Sequence, residues 1–183
     1  MKIHVCTPFS LEKNLGKAYN EQMSLVGEND WCCFHDYDIT FLLPDSIPIM
    51  YEYVKRNPDA GILTCYTNRI SKLSVPQLLG GKISSDTNIE NHIKFAERQK
   101  AQLYSVTPIT RDISGFLMLI SKKTWEDLKF TEDTLCLRVD TIYNRRLREK
   151  GKSILRMNGL YVFHIYRMLT GIKNKTHLLN TVA

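Results

Sequence analysis

Asp36 and Asp38 flank a tyrosine directly after the apolar run Trp31-Cys32-Cys33-Phe34. Residues i and i+2 of an extended chain point the same way, so this spacing lets both carboxylates face one ligand. A short continuous apolar run is the pattern of a strand covered on both faces. In open α/β sheets, ligands bind beyond the carboxyl ends of the strands. Hard divalent cations such as Mg²⁺ or Mn²⁺ take oxygen ligands, commonly one or two carboxylates plus phosphate oxygens. A cation would also relieve the repulsion between two close carboxylates. The pattern suits a clamp for a metal-bound diphosphate. The plain alternative is a pair of loop aspartates facing water, and the preceding buried strand favours the clamp.

The elements that must position the pair follow from periodicity. Lys2 to Thr7 reads as a first strand, bounded by Pro8. Leu15, Ala18, Tyr19, Gln22 and Met23 recur at helical spacing after Asn14, with Gly27 as the expected C-terminal cap. Trp31 to Phe34 is a second strand. Asp45-Ser46-Ile47-Pro48 opens a helix whose inner face is Met50, Tyr51 and Val54. Ile62 to Tyr66 is the next buried strand. Residues 67–87 have no period and read as a long loop of functional length. A helix over about 90–104 turns Ile89, Ile93, Ala96 and Leu103 inward. Gly115 to Ile120 is another buried strand, followed by a short helix at 123–128. Val139, Ile142, Tyr143 and Leu147 mark a further helix ended by Gly151. Residues 153–156 and 160–164 are the last strand candidates. This alternation predicts one α/β domain, residues 1–165, with a mostly parallel sheet. Residues 166–183 form a basic C-terminal tail.

Bulk properties narrow the field. The 183 residues are 43% hydrophobic and 24% charged, which suits one domain with a real core. No stretch reaches the roughly 20 apolar residues of a membrane span, and the apolar run after Met1-Lys2 is too short for a secretory signal. The five cysteines are Cys6, Cys32, Cys33, Cys65 and Cys136, with no CxxC spacing. An odd set within apolar runs reads as reduced core thiols of a cytoplasmic protein. The net charge of +6 favours anionic partners. Much of it lies in Arg145 to Lys152, which reads as a solvated helix face; no nucleic-acid motif accompanies it, so no nucleic-acid partner is expected.

Three ordered blocks resemble family 2 glycosyltransferases of the GT-A fold. The first is Gly16-Lys17-Ala18-Tyr19-Asn20 leading into Asp36-Tyr37-Asp38. The second is Ser114 to Leu128, similar to the family's glycine-led strand, basic residue and short aromatic helix. The third is Val139-Asp140 through Leu147-Arg148-Glu149-Lys150-Gly151, similar to its Glu-Asp motif and following helix. The resemblance implies a three-layer α/β/α sandwich that moves a sugar from a UDP- or GDP-sugar to a glycan or lipid-linked acceptor, with Mn²⁺ or Mg²⁺. It implies Asp36, Asp38 and His164 as metal ligands and Asp140 as the general base of an inverting reaction. It also implies Thr7, Pro8, Lys17, Asn20, Asp36 and Gly115 on the donor side, and Arg111-Asp112 near the sugar pocket. This sequence departs from the family in two places. Only Ser10 to Asn14 stands where members carry an extra strand and helix, and Val139 replaces the motif's glutamate.

The other reading is a non-catalytic sugar-nucleotide or carbohydrate-binding protein on the same fold. Tyr166 to Lys175 mixes cations with apolar residues. That suits an interfacial helix at the inner membrane surface, meeting a lipid-linked acceptor, or a tail packed on its own domain or on a second copy in a homo-oligomer. The sequence leaves both open.

Overall fold

The computed structural model describes residues 1–70, 75–133 and 138–168. Three helices start where the sequence supplies a cap. The Asn14 side chain accepts from the Lys17 amide at the start of α1 (Leu15–Ser24), Asn88 caps α3 (Ile89–Gln99) and Ser121 caps α4 (Lys122–Asp127). α2 spans Ser46–Arg56 and α5 spans Val139–Glu149. The strands are β1 (Ile3–Cys6), β2 (Trp31–His35), β3 (Ile39–Phe41), β4 (Ile62–Thr67), β5 (Val106–Pro108), β6 (Leu117–Ser121) and β7 (Ile154–His164).

They form one sheet in the order β1-β2-β6-β4-β7-β3, with β5 also on β7. β1 and β4 pair in parallel with β2 and β7 respectively, and β6 lies antiparallel between β2 and β4. β3 and β5 also run against β7. Thus β1, β2, β4 and β7 share one direction, and the sheet is a mixed α/β one.

Side chains alternate across this sheet and feed two cores. On one face Cys33, Leu63, Leu117 and Val162 pack with Ile49, Met50, Tyr53 and Val54 of α2. On the other, Cys32, Phe34, Ile62 and Met118 pack with Tyr19 and Met23 of α1, Trp125 of α4 and Tyr143 and Leu147 of α5. Sheet between helices is a three-layer arrangement, and its interior thiols behave as apolar groups. Burial pushes Cys32, Cys33 and Cys65 up, away from thiolate. Cys136 lies outside the described residues.

Several local expectations change. α1 ends at Ser24, with Leu25 rather than Gly27 at its C-cap. Tyr51, Ile89 and Ile93 are exposed, and the inward residues of α3 are His92 and Ala96. α3 itself stops at Gln99. The two late strand candidates are one strand, β7, carrying an irregularity: Cys65 pairs with Met157, yet Tyr66 pairs with Tyr161. Asn158, Gly159 and Leu160 are looped out, Gly159 lying so close to the Leu103 backbone that a Cβ would sit 2.7 Å from its Cα. A bulge of this kind bends the strand and re-aims the side chains beyond it. Beyond it, the antiparallel pairing of β3 with β7 sets His164 opposite Ile39. The long loop of 67–87 falls partly outside the described residues, as does the tail from 169 onward. Among the described residues, no helix is long and apolar enough to cross a membrane.

Candidate metal centre

β2 ends at His35 and β3 begins at Ile39, so Asp36, Tyr37 and Asp38 form a turn rather than the strand continuation expected. The Asp36 amide donates to the Phe116 carbonyl at 2.9 Å, and the Ile39 amide donates back to the Asp36 carbonyl at 3.2 Å. Tyr37 is 87% exposed at the tip. The two carboxylates meet because the turn folds them together, not because a strand alternates.

His164, the last residue of β7, is 1% exposed. Its Nε2 lies 3.0 Å from Asp38 Oδ1 and 3.8 Å from Asp36 Oδ2. One ligand atom from each of the three residues falls within 4.8 Å of the others. Octahedral bonds of about 2.1 Å put neighbouring ligand atoms about 3.0 Å apart and opposite ones about 4.2 Å apart. The 3.8 Å and 3.0 Å spacings from His164 Nε2 fall within that range, and the 3.0 Å one is also that of a hydrogen bond to Asp38. The other ring nitrogen, Nδ1, lies across the ring from the carboxylates and is buried without a hydrogen-bond partner among the described residues. The donor set of two carboxylates and one imidazole suits Mn²⁺ or Mg²⁺, with further positions left for phosphate oxygens or water.

The surroundings hold the three groups rigidly. Asn68, just past β4, receives the His164 amide on its Oδ1 at 2.7 Å and donates Nδ2 to the His164 carbonyl at 3.2 Å. The Ile165 amide donates to the Asp38 carbonyl at 3.1 Å. Thr7, after β1, lies beside the pair: its Oγ1 is 3.3 Å from His35 Nε2, and His35 Nδ1 donates to the Asp36 carbonyl at 2.8 Å. Pro8 follows it, half-buried.

Asp140 enters from the first turn of α5. Its Oδ2 accepts from the Gly115 amide and its Oδ1 from the Thr141 amide, both at 2.7 Å. Gly115 is required there, since a Cβ would lie 2.9 Å from the Asp140 Cβ. Burial raises the Asp140 carboxyl above the ordinary carboxylate range, while the two amides oppose this. Asp36 titrates at about 6. Burial is the main cause, nearby His164 opposes it, and the negative charges of Asp38 and Asp140 add to it. Its side chain nevertheless keeps 45% of its surface accessible, so the group is recessed but reachable. The Tyr19 phenol is raised as well, first by burial and then by Asp36 and Asp140. These three residues therefore share one electrostatic environment.

Two expected donor-side residues have other work. Asn20 uses its whole amide on α4 and the chain after it: Oδ1 accepts from Trp125 Nε1 and the Phe130 amide, and Nδ2 donates to the Phe130 carbonyl and Glu132. Gly16 belongs to the same seam, because a Cβ would sit 1.9 Å from the Thr131 carbonyl oxygen. The Gly16-x-Ala18-x-Asn20 pattern thus docks α1 on this segment. Lys17 pairs with Glu12 at 3.2 Å on the surface. Asp112 clamps Arg145 and Arg148 of α5.

Asn68 and Tyr19 are the site residues that sequence reasoning missed. Tyr19 shows up only as part of an apolar stripe. Asn68 sits in an aperiodic stretch, and nothing local distinguishes it. A scan against protein-family models finds no match for this chain, and a search of curated proteins finds none either.

Proposed function

We propose that this chain is a metal-dependent glycosyltransferase of GT-A type. One observation carries the reading: the Asp36, Asp38 and His164 ligand atoms within 4.8 Å of one another, beside a recessed Asp140. Asp36, Asp38 and His164 would hold Mn²⁺ or Mg²⁺, and the bound ion would offset the charge growing on the diphosphate of a UDP- or GDP-sugar. Asp140 would take the proton of an acceptor hydroxyl as that oxygen bonds to the anomeric carbon. The bond from that carbon to the diphosphate breaks, and its electron pair leaves with the diphosphate. Attack opposite the leaving group inverts the configuration. Burial raises the Asp140 carboxyl, the direction that makes a carboxylate a stronger proton acceptor.

Thr7 and Pro8, at the end of β1, are the residues proposed nearest the base. The role assigned to Gly115 is indirect, through its grip on Asp140.

A second reading, a non-catalytic sugar-nucleotide or carbohydrate-binding protein, draws support from Asp140 itself. Both its oxygens already accept backbone amides, as a purely structural helix-start aspartate would.

Thermal shift with nucleoside diphosphates, with and without Mn²⁺, tests the shared premise. A ligand that binds only the folded state must raise its melting temperature. A shift with UDP or GDP that depends on Mn²⁺ is expected, and none with any nucleotide removes the proposal. Asp140→Asn then separates the two readings: it should abolish transfer while keeping donor binding, whereas unchanged transfer removes Asp140 as the base.

A further inference from the structure

A cleft of about 410 Å³ opens between residues 79–86 and α3, one residue away from the metal centre. That volume is in the range of small-molecule sites. Asn68 lines it and also clasps the His164 backbone. The cleft wall is tied to the same place. The Ser84 amide donates to the Asn68 carbonyl at 2.9 Å. The Arg69 guanidinium donates to the carbonyls of Ser84 and Tyr166, each at 2.8 Å. The cleft and the histidine ligand are therefore built on one hydrogen-bonded unit.

The charge of the lining is uneven. Lys82, Lys94 and Arg98 lie on it without an ion pair among the described residues, and the Arg98 guanidinium stands over the Phe95 ring, 5.6 Å from its centroid. The one carboxylate there, Asp86, is already committed to the Asn88 amide and to Asn91 Nδ2. Buried His92 is held by the Tyr161 hydroxyl and the Asp86 carbonyl, so the floor is preorganised. Phe95 supplies apolar surface, and Asn68 and Asn91 supply amides. Cations facing an apolar ring and amides recognise a polyhydroxylated ring that carries negative charge.

We propose that this cleft binds an anionic sugar, one bearing a carboxylate or a phosphate. As the acceptor subsite, this rests on the transferase reading; as a binding site, it stands without it.

Titration of the full chain with trigalacturonate, glucose 6-phosphate, maltotriose and inorganic phosphate, by calorimetry and amide NMR, tests this. At least one charged sugar should bind about tenfold or more tightly than maltotriose and inorganic phosphate, and shift amides of residues 82–98. Whichever sugar does so identifies the charged group. K94E/R98E changes two exposed side chains and should weaken that binding about tenfold or more. Equal binding of charged and neutral sugars overturns the proposal, as does inorganic phosphate binding as tightly as the sugars. An unaffected K94E/R98E variant also overturns it. If nucleotide and Mn²⁺ fail to bind while the cleft still takes the charged sugar, only the transferase reading is lost.

Discussion

Asn68 holds His164 by both of its backbone polar groups, accepting from the amide at 2.7 Å and donating to the carbonyl at 3.2 Å. This fixes the end of β7 against the end of β4, which places the imidazole 3.0 Å from Asp38. Both residues are buried, so water is not available to replace either bond. Outer partners of metal ligands matter for this reason: they fix the direction in which the ligand atom points.

Removing that clasp should loosen the metal site and the fold together. Asn68→Ala leaves a buried amide and carbonyl unpaired, a cost of about 1–3 kcal/mol for each unsatisfied group. Mn²⁺ affinity should fall on the order of 10-fold or more. Chemical denaturation and calorimetric Mn²⁺ titration measure the two effects. Wild-type Mn²⁺ affinity in a folded variant would show that Asn68 does not position His164.

Gly115→Ala should displace Asp140 without touching Asp36, Asp38 or His164. The new methyl would sit 2.9 Å from the Asp140 Cβ, so α5 or the turn at Gly115 before β6 must shift. Overpacking of this kind costs about 1–3 kcal/mol. The hydrogen bond from the Gly115 amide to Asp140 should weaken with it. Denaturant midpoints report the destabilisation, and Mn²⁺ affinity should change much less than in Asn68→Ala. A variant as stable as the wild type would contradict the close approach.

Metal binding should depend on pH through Asp36. Its carboxyl titrates at about 6 in the folded chain, above the ordinary carboxylate value. A raised carboxyl holds its proton more tightly folded than unfolded, so without metal this group favours folding at acid pH. The advantage fades as pH rises from the unfolded value through about 6. Mn²⁺ must displace the proton, so its apparent affinity should rise about tenfold per pH unit below that point and level off above it. Calorimetric titrations from pH 5 to about 8 would follow this curve. A flat profile would mean that Asp36 is not a ligand.

The Asp-x-Asp pattern and the alternation of apolar runs were legible because they are local. A buried strand such as Trp31–His35 shows as a continuous apolar run, and α1 shows as a stripe at helical spacing. β3 and β5 have three residues each, too few for any period, and they pair only because β7 runs alongside. Helix-face assignments failed where a neighbour rather than hydropathy decides burial. His92 is buried because Tyr161 and the Asp86 carbonyl receive it, while the more apolar Ile89 and Ile93 face out.

By itself the sequence determined the α/β alternation and the close spacing of the Asp36 and Asp38 carboxylates. Each of these depends on residues close together in the chain. The convergence of the site was decided only by tertiary structure. Asp38 and His164 lie 126 positions apart, and they meet because β3 pairs antiparallel with the end of β7, setting Ile39 opposite His164. Asp140 meets the Gly115 amide because a glycine there lets α5 approach, and Asn20 turns to α4 and the chain after it because four partner atoms surround its amide there. Which polar atoms are left for a ligand depends on which ones the packed chain has already paired, and no local pattern records that pairing.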